Sequence, residues 1–163
     1  MPFGLEYTTD PTFTYCPGNL GNKYTTGTSR SVSWGTPTAT DNSGSVTVSR
    51  VSGQSSGSSF FVSSNQYTIQ YRASDSAGNS ANCYITFMVI GVRCSTLSAP
   101  SHGSVGCTNT NFISSVCTIS CDLGYHVVGS KIRTCTQSGN TGYWDGSTTT
   151  CSRKICACVC VFK

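Results

Sequence analysis

Between Cys94 and Cys151 the chain reads CSTLSAP SHGSVGCTNT NFISSVCTIS CDLGYHVVGS KIRTCTQSGN TGYWDGSTTT C, a stretch of 58 residues. It holds six cysteines: Cys94, Cys107, Cys117, Cys121, Cys135 and Cys151. Between them lie the turn Pro100-Ser101-His102-Gly103, the pairs Gly124-Tyr125 and Gly129-Ser130, and a late Trp144. A domain of about 60 residues buries too little apolar surface to stand comfortably alone, so cross-links supply what its core cannot.

The rest of the chain agrees with that economy. It has 163 residues, room for one or two small domains, with eleven cysteines and only 10% charged residues. Such usage describes a secreted scaffold made in an oxidising compartment rather than a cytosolic enzyme. The net charge of +4 is spread over Lys23, Arg30, Arg50, Arg72, Arg93, Lys131, Arg133, Arg153, Lys154 and Lys163. No basic cluster with interleaved aromatics occurs, which argues against a nucleic-acid partner; solvated surface charge is the plain reading, with a heparin-like polyanion as the alternative. No run reaches the roughly 20 apolar residues of a membrane span. Met1 to Asp10 lack a basic start followed by an apolar run, so the expectation is a piece of a longer secreted protein or a gene product with incomplete ends; no Asn-x-Ser/Thr acceptor occurs, so N-glycosylation adds no independent support for secretion.

The Cys94–Cys151 stretch resembles a sushi module, also called a complement control protein (CCP) module or short consensus repeat, over essentially all its length. Six cysteines admit many pairings, so spacing alone does not fix the bridges. The resemblance implies Cys94 with Cys135 and Cys121 with Cys151, with Cys107 and Cys117 forming the extra bridge of six-cysteine sushi modules such as those of selectins. A zinc site is the competing explanation, but only Cys117 and Cys121 have the short spacing that structural zinc prefers. The resemblance also implies that Trp144 and Tyr125 are core aromatics.

Upstream, short alternating runs separated by Gly, Ser, Asn and Asp predict an all-β domain. Tyr67, Ile69, Tyr71 and Ala73 fall on one face of a run whose other face carries Thr68, Gln70 and Arg72. In Tyr84 to Val92 both faces are apolar enough for a central strand. Val46 with Val48 predicts a third strand, and Val32 with Trp34 a fourth. Asp41-Asn42-Ser43-Gly44 and Asp75-Ser76-Ala77-Gly78-Asn79 read as turns, and Ser52 to Ser59 as a mobile loop. Cys16-Pro17-Gly18-Asn19, Val32-Ser33-Trp34, Pro37 to Gly44, Phe60 to Val62, Tyr71 to Asn79 and Cys83, in this order, resemble the hyalin repeat, or HYR, domain. That resemblance implies an immunoglobulin-like β-sandwich. The two lone cysteines of this half, Cys16 and Cys83, independently predict one bridge, contributing up to about 4 kcal/mol in the chain-entropy model.

The expected organisation is a HYR domain over 9–92, a sushi module over 94–151 and a tail over 152–163. The tail reads first as the start of a truncated next sushi module, then departs at Ala157, leaving Cys156, Cys158 and Cys160 unassigned. Truncation, intermolecular disulfides and a soft-metal site are the alternatives there.

No catalytic constellation is present: the carboxylates Glu6, Asp10, Asp41, Asp75, Asp122 and Asp145 are isolated, and His102 and His126 lack an activating partner in sequence. Asp41 with Asn42 and Asp75 with Asn79 supply hard oxygens from two turns, a candidate calcium pair whose plain alternative is turn chemistry. The two resemblances together imply an extracellular, non-enzymatic adhesion or matrix fragment whose partners are extracellular proteins or glycans. The alternative is a complement-regulator-like or receptor-type fragment that binds one specific protein through the sushi module.

Overall fold

The structure, a computed structural model, describes residues 8–155. Those residues form fourteen strands and no helix, and the chain divides into two compact units, one ending at Gly91 and the other beginning at Val92.

The first unit contains β1 (Thr12–Tyr15), β2 (Asn19–Thr25), β3 (Ser29–Ser31), β4 (Thr38–Thr40), β5 (Val46–Ser52), β6 (Ser59–Phe61), β7 (Tyr67–Asp75) and β8 (Ser80–Gly91). Its main sheet has the order β2-β8-β7-β5, while β1 pairs with β4 and β3 with β6. The alternation in β7 does what period-two geometry requires: Ile69 and Ala73 are buried, Thr68 and Arg72 exposed. β8 runs antiparallel to β7 and parallel to β2, which makes it central in the sheet. Its burial is nevertheless one-sided. Ile85, Phe87 and Val89 are fully buried, whereas Tyr84 on the opposite face is 51% exposed.

The buried face packs against Val32 and Phe60, with Phe13, Leu20, Trp34, Val62, Tyr67 and Tyr71 closing around them. Phe60 meets Phe87 edge-on at 4.8 Å between centroids, a geometry that the ring quadrupoles favour. Val32 and Trp34 thus reach the core, but not from a strand. β3 ends at Ser31, and beyond it Val32 N–H bonds to the Ser58 carbonyl and Trp34 N–H to Ser56 Oγ. The Ser52–Ser59 segment, which its composition marks as mobile, is therefore stitched along this edge, further held by Ser31 Oγ donating to the Gly57 carbonyl. Gly53 starts it with φ of 83°, and a Cβ there would collide with the Ile69 side chain.

The second unit contains β9 (Gly103–Cys107), β10 (Val116–Cys121), β11 (Tyr125–Val128), β12 (Ile132–Ser138), β13 (Thr141–Trp144) and β14 (Thr150–Arg153). One sheet has the order β13-β12-β10-β9 and the other pairs β11 with β14. Its core is small: Cys94, Cys117, Cys135 and Trp144, with Leu97, Val105 and Ile113 against them. Half-cystines make up most of it, as expected where apolar side chains are scarce. Arg93 forms an isolated bridge with Phe112, its guanidinium carbon 3.4 Å above the ring, and Gly142 lies so close to the Arg93 backbone that a Cβ would clash with it.

Candidate functional site

Among the described residues four disulfides brace the two units. Cys16 joins Cys83 across 67 residues in the first; in the second Cys94 joins Cys135 across 41, Cys121 joins Cys151 across 30, and Cys107 joins Cys117 across 10. Cys107 and Cys117 face each other directly in the β9–β10 register. Cys156, Cys158 and Cys160 lie outside the described residues.

Trp144 is 8% exposed and sits beside the Cys94–Cys135 bridge, its indole N–H donating to the Ser95 carbonyl at 2.8 Å. Tyr125 is only half-buried: its ring stacks on His102 at 4.2 Å, and the residue is among those that line an open cavity. His102 itself is exposed and holds a left-handed backbone at φ 59° in the turn before β9.

The cavity, of about 300 Å³, lies between β10 and β11 and is lined by Ile119, Ser120, Cys121, Tyr125, His126, Val127, Lys131 and Lys154. Two hydrogen bonds frame it: Ile119 N–H to the Lys131 carbonyl at 2.9 Å, and Lys154 N–H to the Gly124 carbonyl at 2.8 Å. A smaller recess of about 200 Å³ is lined by Thr96, Leu97, Cys107, Thr110 and Asn111.

The two aspartate turns stand at one end of the first unit's sheet, because Asp75 pairs with Val46 in register, just after the Asp41–Gly44 turn. Their carboxylates are differently engaged. Asp75 Oδ1 accepts the Ala77 and Asn79 amides at 3.0 and 2.8 Å, and Oδ2 accepts the Asn79 side-chain amide at 2.7 Å. Those donors, the Asn79 side chain foremost, hold the Asp75 carboxyl below its ordinary pKa, against a smaller opposing effect of desolvation. Asp41 Oδ2 accepts the Ser43 amide at 2.7 Å, while Oδ1 is buried without a hydrogen-bond partner among the described residues. No group of three or more His, Cys, Asp or Glu side chains suited to a metal ion occurs among the described residues.

The pairing of Lys131 with Lys154 was not visible in the sequence, where the basic residues look evenly spread. The signal that could have found it is the Cys121–Cys151 bridge, which ties the start of β14 to the end of β10.

A scan of family profiles matches the HYR domain over residues 7–89 and the sushi repeat (SCR repeat) over residues 94–151. The chain belongs to the HYR domain family and carries a sushi repeat after that domain. Both are non-enzymatic module types of extracellular interaction proteins. Among curated proteins it is similar to the sushi repeat-containing protein SRPX2 of Bos taurus, 34% identical over 122 residues, covering 74% of this chain and 25% of that protein. It is likewise 34% identical to the sushi repeat-containing protein SRPX of Homo sapiens over 123 residues, with the same coverage. E-selectin of Canis lupus familiaris matches 71 residues at 37% identity, 42% of this chain and 11% of that protein. The chain spans about a quarter of the length of the sushi repeat-containing relatives it matches. No helix among the described residues is long and apolar enough to cross a membrane.

Proposed function

We propose that this chain is a non-enzymatic adhesion or matrix segment, working outside the cell, that contacts extracellular proteins or glycans through the exposed faces of two disulfide-braced domains. The domains are assigned to 9–92 and 94–151, with 152–163 leading towards a further module. The observation that carries the reading is the adjacency of a HYR domain and a sushi repeat, which the similarity to SRPX2 covers together over 122 residues. Bridged β-frames of this kind hold loops and strand faces rigidly, so contact costs little ordering entropy. Each contact is small, and strength comes from several engaged together.

The test compares the monomer with an artificially clustered form on cell surfaces and extracellular matrix. Attachment by clusters and not by monomers supports the reading. Tight, saturable monomer binding to one soluble protein replaces it with the receptor-type reading. Attachment in neither form leaves a spacer.

A further inference from the structure

The formal charge is not evenly distributed between the units. Through Gly91 the chain has four basic residues, Lys23, Arg30, Arg50 and Arg72, balanced by Glu6, Asp10, Asp41 and Asp75. From Val92 to Ile155 five basic residues face only Asp122 and Asp145. Two of those five are occupied at home: Arg93 covers the Phe112 ring, and Arg133 donates to the Trp144 and Asp145 carbonyls at 3.2 and 2.8 Å. Lys131, Arg153 and Lys154 have no ion pair or side-chain hydrogen bond among the described residues.

Two of these three cations, Lys131 and Lys154, line the cavity between β10 and β11 together with His126, and no carboxylate among the described residues lines it. Arg153 is in register with Tyr125 on the adjoining strand, and Asp122, before the turn into β11, is the nearest acidic residue in sequence. Two lysines that line one cavity bring two positive charges to it, and a bound anion offsets their mutual repulsion.

We propose that this cavity binds a sulfated sugar, with Lys131 and Lys154 as the cationic donors to sulfate and Ser120, Tyr125 and His126 as partners for the sugar oxygens. The assignment deepens the adhesive reading and rests on its extracellular setting. Sulfate esters accept charge-assisted hydrogen bonds from ammonium groups. The volume stands at the small end of ligand cavities, which begin at about 300 Å³, and suits a sugar unit or two along a chain. An acidic peptide fits less well, because Ile119 is sealed in the floor and Cys121 is bridged, leaving no apolar hole for an anchoring side chain.

The experiment titrates the oxidised chain with a fully sulfated heparin-derived tetrasaccharide at two salt concentrations. Lys131→Ala with Lys154→Ala is expected to weaken binding about tenfold or more, as loss of two charged hydrogen-bond donors should. Lys23→Ala with Arg72→Ala, which removes the same charge from the first unit, should leave it within about twofold, and added salt should weaken the wild type. A desulfated tetrasaccharide that keeps its carboxylates should bind about tenfold more weakly. If the alanine pair lowers the melting temperature, Lys131→Gln with Lys154→Gln must reproduce the loss in a folded chain. No tetrasaccharide binding by the wild type, or equal losses in both double variants, overturns the proposal. Equal competition by polyglutamate of matched charge reassigns the cavity to acidic peptides. Clusters of the Lys131/Lys154 variant that still attach to matrix as the wild type does refute a role for the cavity in attachment while leaving the adhesive reading intact; wild-type clusters that fail to attach remove the adhesive reading itself.

Discussion

Trp144 and Ser95 are joined by an indole-to-carbonyl hydrogen bond of 2.8 Å that ties the end of β13 to the residue immediately after Cys94. The bond gives the indole's one polar atom a partner while its rings fill a core otherwise built of half-cystines. Trp144→Ala should destabilise the second unit by about 3–5 kcal/mol in chemical denaturation of the oxidised chain. Trp144→Phe keeps most of the packing but orphans the Ser95 carbonyl, for a smaller loss of about 1–2 kcal/mol. Equal losses in the two variants would mean that the indole hydrogen bond, not the packing of the rings, accounts for tryptophan's contribution here.

The bridges differ in the loops they close. Non-reducing peptide mapping should recover the four pairs within the chain and none between the two units. Replacing Cys107 and Cys117 by serine should cost about 3 kcal/mol, against about 4 kcal/mol for Cys16 and Cys83, because loop-closure entropy grows with length. Denaturation midpoints of the two double variants check the order.

Asp75 makes stability depend on acid. Its carboxyl pKa is held below the ordinary 3.8, so the unfolded chain takes up the proton more readily than the folded one. The contribution is complete above pH 3.8 and is lost as pH falls through the lower folded value. Unfolding followed from pH 6 to pH 2 should show a shallower loss below pH 4 for Asp75→Asn than for wild type. Parallel curves would show that the turn holds the protonated acid equally well.

Calcium should have little effect. Three donors from its own turn already surround the Asp75 carboxylate, and tight calcium sites need more oxygens than Asp41 and Asp75 provide. Titration with calcium, with magnesium and salt controls, should shift the unfolding temperature only at about millimolar concentration. A submicromolar midpoint abolished by Asp41→Asn would identify a real site.

Residues 9–92 and 93–152 should each fold when expressed separately in an oxidising compartment, since each unit has its own core and bridges. Amide-proton dispersion by NMR is the measurement. Collapse of one half with its bridges intact would move the proposed boundary.

Much of the frame was legible because its determinants are local or covalent. The alternation from Tyr67 to Ala73 is period-two geometry written in side chains, and β7 follows it. The sushi resemblance implies a core role for Trp144, and it is buried. Features that depend on a neighbour's register were hidden. Nothing in the sequence around Ser56 and Gly57 announces that the segment ahead of β6 would be pinned to Val32 and Trp34, since those bonds use backbone groups and the Ser56 hydroxyl. For the same reason Lys131 and Lys154, distant in sequence, come to line one cavity only once β11 and β14 are paired.

The bridges also govern how the chain would behave under tension. A pull along the backbone entering at Cys16 passes through sulfur to Cys83, so the 67-residue span between them is spared even if its strands come apart. Beyond Cys94 the same shortcut leads to Cys135, leaving only the stretch to Cys151 to pay out within the sushi repeat. At ~3.5 Å per extended residue, that stretch lengthens to ~60 Å instead of the ~200 Å available to an unbridged repeat. The oxidised chain is a tether of nearly fixed length, and reduction would convert it into an elastic one.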